Sequence, residues 1–234
     1  MWSRIAVLAS GRGSNLVALL EYLDRARDGD DPHVVLVASD RSDAGALDVA
    51  RGRGIAVEML TARGADSEAL AALLTRHEVD LVVLAGYLRL IPQRVVRDFA
   101  GRIVNVHPAL LPSFGGRGMY GERVHRAVLA SGARISGATV HTVSDEYDRG
   151  TILAQWPVPV LASDDPHTLA ARVLRVEHLL LPRVVAAMAS GRIRSDAPGV
   201  ENRFLSSRDV DVGFTLSRYD ADALSHDIDV ALAG

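Results

Sequence analysis

Val34-Val35-Leu36-Val37-Ala38 is apolar at every position, and this run restricts the fold more than any other feature of the chain. A strand with one face in water alternates apolar and polar residues. An unbroken apolar run of strand length fits a strand covered on both faces, as in a parallel sheet between layers of helices. Residues 5–9 and 81–85 have the same character. After residues 5–9 the chain passes through Ser10-Gly11-Arg12-Gly13-Ser14-Asn15 and then places Leu16, Leu19, Leu20 and Leu23 on one helical face. Strand, glycine turn and helix open a βαβ unit. The pattern continues with a strand predicted at 57–60 and helices at about 44–53, 66–77, 93–99 and 122–130. Residues 135–143 alternate in character, and 152–158 contain Pro157, with Pro159 just beyond. Proline cannot donate to a ladder, so this strand is expected at a sheet edge. Ser163-Asp164-Asp165-Pro166 predicts a helix start. That helix runs to about 190, with Leu169, Val173, Val176, Leu180 and Val184 on its apolar side and Glu177 at the border of that stripe. The chain therefore reads as α/β: a Rossmann-like, mostly parallel sheet flanked by helices, with an antiparallel edge in the C-terminal half. From residue 195 the period is lost and the composition turns polar. The expected organisation is one domain over 1–194 and a C-terminal extension over 195–234.

Composition narrows the chemistry. Hydrophobic residues make up 48% of the 234 residues, ample for a core. A net charge of −3 does not point to a nucleic-acid backbone or an anionic membrane as the main partner. There is no cysteine, which excludes disulfides, thiol nucleophiles and zinc–thiolate sites. There is no lysine either, which excludes Schiff-base chemistry and a P-loop lysine. Met1-Trp2-Ser3-Arg4 leads directly into residues 5–9, too short a run for a signal core or a membrane span, so a cytoplasmic location is expected.

Three stretches carry candidate chemistry. In Val104-Asn105-Val106-His107-Pro108-Ala109-Leu110-Leu111-Pro112, a β-branched strand ends at a proline. Alternation puts Asn105 and His107 on one face at its end, where an amide and an imidazole can polarise a carbonyl and move a proton. The turn Ser10 to Asn15 aims a helix N-terminus at whatever binds there, a ready anion site. It lacks the third glycine of the dinucleotide fingerprint, so a single phosphate is expected rather than a pyrophosphate. Gly86-Tyr87-Leu88-Arg89-Leu90-Ile91-Pro92 is mostly apolar yet lies in a strand-to-helix loop, which suits a pocket wall. Asp40, where a dinucleotide-binding chain holds a ribose, reads as part of a Ser/Asp turn that caps the next helix. Ser113 to Gly121, with four glycines in nine residues, reads as a mobile loop.

Four features occur in a fixed order: Ser10-Gly11-Arg12-Gly13-Ser14-Asn15, Leu84-Ala85-Gly86-Tyr87-Leu88-Arg89, Asn105-Val106-His107-Pro108-Ala109-Leu110-Leu111-Pro112, and His141-x-Val143 followed by Asp148-x-Gly150. Together they resemble the phosphoribosylglycinamide formyltransferase family of folate-dependent enzymes, over roughly residues 3–190. The resemblance implies transfer of a formyl group from 10-formyltetrahydrofolate, as co-substrate, to the amine of glycinamide ribonucleotide in purine synthesis. It implies a catalytic trio of Asn105, His107 and Asp148, and a phosphate loop at Gly13, Ser14 and Asn15. Leu88, Arg89, Leu90 and Ile91 would line the folate pocket together with Asn105, and Glu177 would contact the ribonucleotide. Asn105 and a protonated His107 would donate to the formyl oxygen, with Asp148 holding His107 in its charged form. No metal, nucleic acid or membrane is implied, and a homodimer is compatible with it. The chain departs from the family pattern in its longer Gly115 to Gly121 loop, in Glu68 and Leu174 where polar or basic ligand contacts are common, and in everything beyond Ser195. A sugar-amine formyltransferase or a non-catalytic nucleotide-binding module fits part of the pattern.

Overall fold

The computed structural model describes residues 3–25, 32–60 and 67–193; the expected extension over 195–234 lies outside them. The first half consists of β1 (Arg4–Leu8), α1 (Ser14–Arg25), β2 (His33–Ser39), α2 (Gly45–Gly52), β3 (Ala56–Met59), α3 (Ser67–Arg76), β4 (Leu81–Leu84) and α4 (Gln93–Asp98). It continues through β5 (Ile103–His107), α5 (Glu122–Ala130), β6 (Ile135–Thr142), β7 (Ile152–Pro159) and α6 (Pro166–Ala189). The seven strands form one sheet in the order β3-β2-β1-β4-β5-β6-β7. β1 to β5 are parallel, and β6 and β7 run antiparallel beside β5. This is the Rossmann-like sheet with an antiparallel edge that the sequence predicts, and β7 with its prolines is the outer strand.

The unbroken apolar runs have a direct explanation. Along β1, Ile5 and Val7 enter one core with α1, α2, α5 and α6, while Ala6 and Leu8 enter a second core with α3 and α4. Both faces of the strand are dry, so no position can be polar. α6 starts as the sequence predicts: Asp165 accepts from the backbone N–H groups of His167 and Thr168, Thr168 returns a bond to the Asp165 N–H, and Pro166 takes the first turn. α2 does not. Its N-cap is Ala44 with no side-chain hydrogen bond, so the turn at Ser39 to Asp43 is not the predicted cap. Among the described residues no helix is long and apolar enough to cross a membrane.

The strand order reverses between β1 and β4. Such a switch point leaves a crevice beyond the carboxyl ends of the strands, because the two flanking connections leave in opposite directions.

Candidate active site

A cleft of about 840 Å³ opens at that switch point. Its walls come from the β1–α1 turn, the loop after β4, the end of β5, the glycine-rich loop before α5 and the first turns of α6.

β5 delivers Asn105 and His107 to the cleft from one face, as the period of two requires. Asn105 is half-buried and His107 is 3% exposed. β6 pairs with β5 so that His141 stands opposite Asn105. His141 Nδ1 lies 2.7 Å from the Thr142 carbonyl oxygen and must donate to it. That leaves Nε2 as the acceptor for Asn105 Nδ2 at 3.1 Å, which fixes the amide's orientation.

Asp148 reaches both rings from the turn after β6, with contacts of 3.6 Å to His107 Nδ1 and 3.6 Å to His141 Nε2. Its Oδ2 also accepts the Gly116 N–H at 2.8 Å. Asp148 has φ +55, and a Cβ on Gly150 would run into the Thr142 carbonyl. The Asp148-x-Gly150 spacing thus reflects a turn folded hard against β6. Burial raises the Asp148 carboxyl, but His141, His107 and the Gly116 N–H together outweigh it and hold it below the usual carboxylate range.

His107 departs from expectation. Burial lowers its pKa, and the opposing pull of Asp148 and the Phe114 carbonyl does not restore it. The ring is therefore neutral near pH 7 rather than held charged by Asp148. Its Nε2 donates to the Phe114 carbonyl at 2.9 Å. The start of the glycine-rich loop is thus pinned to this polar cluster at two points, Phe114 O and Gly116 N. For His107 to donate to a ligand through Nε2, Phe114 must release it.

In the β1–α1 turn, Gly13 has φ +86, and a Cβ there would lie 2.7 Å from the Ala46 Cα. Only glycine fits this packing between the turn and α2. The turn leads into α1 with Ser14 half-buried and Asn15 buried. Asn15 Nδ2 donates to Glu177 Oε2 at 2.7 Å, which joins two residues that the resemblance links to one ligand. The buried Asn15 Oδ1 has no protein partner.

Burial pushes the Glu177 carboxyl up to about 7, against the smaller opposing effect of Asn15. The usual value is 4.5, so between 4.5 and about 7 the folded chain keeps a proton that the unfolded chain has released. Stability from this group is present below that window and lost as pH rises through it. Glu177→Gln keeps an acceptor for Asn15 and should be more stable than the parent above about pH 7, by at most roughly 3 kcal/mol, with that advantage vanishing on the acid side. Thermal melts across this range check it; an offset independent of pH would mean that Glu177 does not titrate there.

Leu88 and Leu90 are 41% and 43% exposed and face the cleft, an unusual state for two leucines within three residues of a core position. Ile91 is 2% exposed and packs mainly into the second core. Arg89 pairs with Asp40 at 2.8 Å. Leu174 lines the cleft beside Glu177, whereas Glu68 is exposed, pairs with Arg94 at 3.5 Å and does not line it.

The formyl transferase family model matches residues 3–185, which include every strand and nearly all of α6. The chain belongs to the formyl transferase family. It is 46% identical over 204 residues to the chloroplastic phosphoribosylglycinamide formyltransferase of Arabidopsis thaliana, covering 84% of this chain and 69% of that one. Against the phosphoribosylglycinamide formyltransferase of Escherichia coli it is 37% identical over 195 residues, covering 81% and 89%. The crystal structure of glycinamide ribonucleotide transformylase 1 from Symbiobacterium toebii superposes with a TM-score of 0.75 at 38% identity, over 82% of this chain and 89% of that one.

Three residues at or beside this cleft carry no site role in the sequence reading. His141 has a usable signal, its place in the His141-x-Val143 feature on an alternating strand. Asp40 closes a network to Ser10 and Arg89 instead of capping α2. His125 on α5 lines the cleft with Nδ1 buried and unpartnered, and burial lowers its pKa to about 4. In sequence it is only one position on a helix.

Proposed function

We propose that this chain transfers the formyl group of 10-formyltetrahydrofolate to the amine of 5'-phosphoribosylglycinamide, a step of purine biosynthesis. The observation that carries this reading is the convergence of three unlike surfaces on one cleft. They are an anion-type turn at Gly13 to Asn15, an apolar wall at Leu88 and Leu90, and a polar cluster of Asn105, His107 and Asp148. The names of the relatives support the same reading.

In this scheme the turn and the first N–H groups of α1 take the phosphate, and Glu177 with Asn15 takes the adjoining ribose. The exposed leucines take the flat ring of the donor, and Arg89 and Ile91 shape that wall. The substrate amine attacks the formyl carbon, forming the new N–C bond. Negative charge builds on the formyl oxygen, and Asn105, held by His141, donates its free amide N–H to it. The carbon–nitrogen bond to the folate then breaks. The proton lost by the amine reaches the departing nitrogen through His107 and Asp148. A neutral His107 can accept that proton, and the nearby carboxylate then stabilises the charged ring.

The direct test is a formyl-transfer assay with both substrates. Formylated ribonucleotide and free tetrahydrofolate are the expected products. Transfer to an amino sugar nucleotide, or tight NAD binding with no transfer, would overturn the assignment. A chain ending at residue 195 should keep its fold and most of its activity, because every residue named for the site precedes it and α6 is already complete. Insolubility or loss of turnover in that shorter chain would place the extension in the core or the site.

A further inference from the structure

Asp40 sits at the end of β2, away from the ligands and the reacting atoms of the proposed function, yet its side chain is only 8% exposed. Its two oxygens hold two different loops. Ser10 Oγ donates to Oδ1 at 2.6 Å, and Arg89 Nε donates to Oδ2 at 2.8 Å. Ser10 in turn grips the segment after β4: its Oγ accepts the Leu88 N–H at 3.1 Å, and its own N–H donates to Gly86 O at 3.1 Å. One serine at the head of the anion-type turn and one carboxylate thus fasten Gly86, Leu88 and Arg89. Leu88 and Leu90 point into the cleft and are not packed in the core, so burial alone does not fix this segment.

We propose that Asp40 is a positioning residue that, through Ser10 and Arg89, holds the Leu88–Leu90 wall in the shape that binds the formyl donor. The inference rests on the function proposed above. Its chemistry is specific to a carboxylate. Both partners approach as donors, because an ionised carboxylate oxygen can only accept. An aspartate accepts at both oxygens, whereas an asparagine must turn an N–H toward one of the two donors. The near-isosteric Asp40→Asn therefore removes the charge from both bonds and reverses or breaks one of them without opening a cavity, and Ser10→Ala breaks the relay from the other side.

Steady-state kinetics and hydrogen exchange on the full chain test this. Asp40→Asn and Ser10→Ala should each raise the KM for 10-formyltetrahydrofolate about tenfold, equivalent to roughly 1.4 kcal/mol. kcat and the dissociation constant of glycinamide ribonucleotide should change less than about threefold. In the ligand-free protein, amide exchange across residues 86–91 should quicken by about tenfold, while that of β5 stays the same. A merely structural role would instead lower thermal stability and weaken both substrates together. If the parent transfers the formyl group, an unchanged donor KM in both variants overturns the proposal. If the parent transfers nothing, the functional assignment falls and exchange alone decides this one: an unchanged rate across 86–91 overturns it.

Discussion

His107→Ala and Asp148→Ala should each lower kcat by about two orders of magnitude or more, with the dissociation constants of both substrates changed less than about threefold. The separation of surfaces in the cleft motivates this split. Affinity is assigned to the Gly13 to Asn15 turn, to Glu177 and to the leucine wall, whereas the polar partners of His107 are Asp148 and the Phe114 carbonyl. The cluster of His107, Asp148, Asn105 and His141 acts where charge and protons move, and an interaction made only in the transition state lowers kcat and kcat/KM together. The double variant should lose less than the two single losses combined, because Asp148 acts partly through the ring 3.6 Å away. Asp148 also accepts the Gly116 N–H, so Asp148→Ala should loosen the glycine-rich loop as well. Asp148→Asn separates these effects. It retains an acceptor for Gly116 but not the charge, and should be as slow as the alanine variant if the charge is what matters. Full turnover in His107→Ala, or a tenfold loss of affinity at unchanged turnover, would sink this division of labour.

The parts legible in the sequence are those that depend on local period and on dryness. Ile5, Ala6, Val7 and Leu8 advertise a strand between two cores, because each successive side chain enters a different one. The shared face of Asn105 and His107 follows from a period of two. Register across strands does not follow. His141 could be placed on β6, but standing opposite Asn105 depends on which residues β5 and β6 align, and that is a tertiary outcome. Asp40 shows the same limit more sharply. A Ser/Asp turn before a helix is a sound reason to expect a cap, but Arg89 and Ser10 compete for the carboxylate from loops distant in sequence. The charge state of His107 is not legible in the sequence for a related reason. A nearby aspartate argues for a charged ring, while the depth of burial that outweighs it is set by the loop at Phe114 and by the surrounding sheet.

Gly13→Val should weaken glycinamide ribonucleotide binding by about a hundredfold or more, while the folate donor loses less than about threefold in affinity. Two independent obstacles meet at this residue. Its φ of +86 lies where a β-branched side chain is strongly disfavoured, at a cost of roughly 1–3 kcal/mol. Its Cβ would also lie 2.7 Å from the Ala46 Cα, a backbone atom of α2 that cannot swing aside as a flexible side-chain tip could. The turn must therefore move away from α2, and the first N–H groups of α1 move with it. An anion held by several such groups loses them together, which is why the expected effect is large. The leucine wall is anchored to Ser10, three residues before the altered position, and Ser10 keeps its bonds to Gly86 and Leu88, so the wall should move little. Some loss of thermal stability should accompany the change. Gly11→Ala supplies the comparison, because a Cβ at Gly11 meets nothing within 4 Å and its backbone is not among the positive-φ glycines. It should leave the fold's stability within about 0.5 kcal/mol of the parent. Calorimetric titration of each ligand into Gly13→Val decides the matter: equal loss of both ligands would make the turn a structural element rather than the seat of the phosphate.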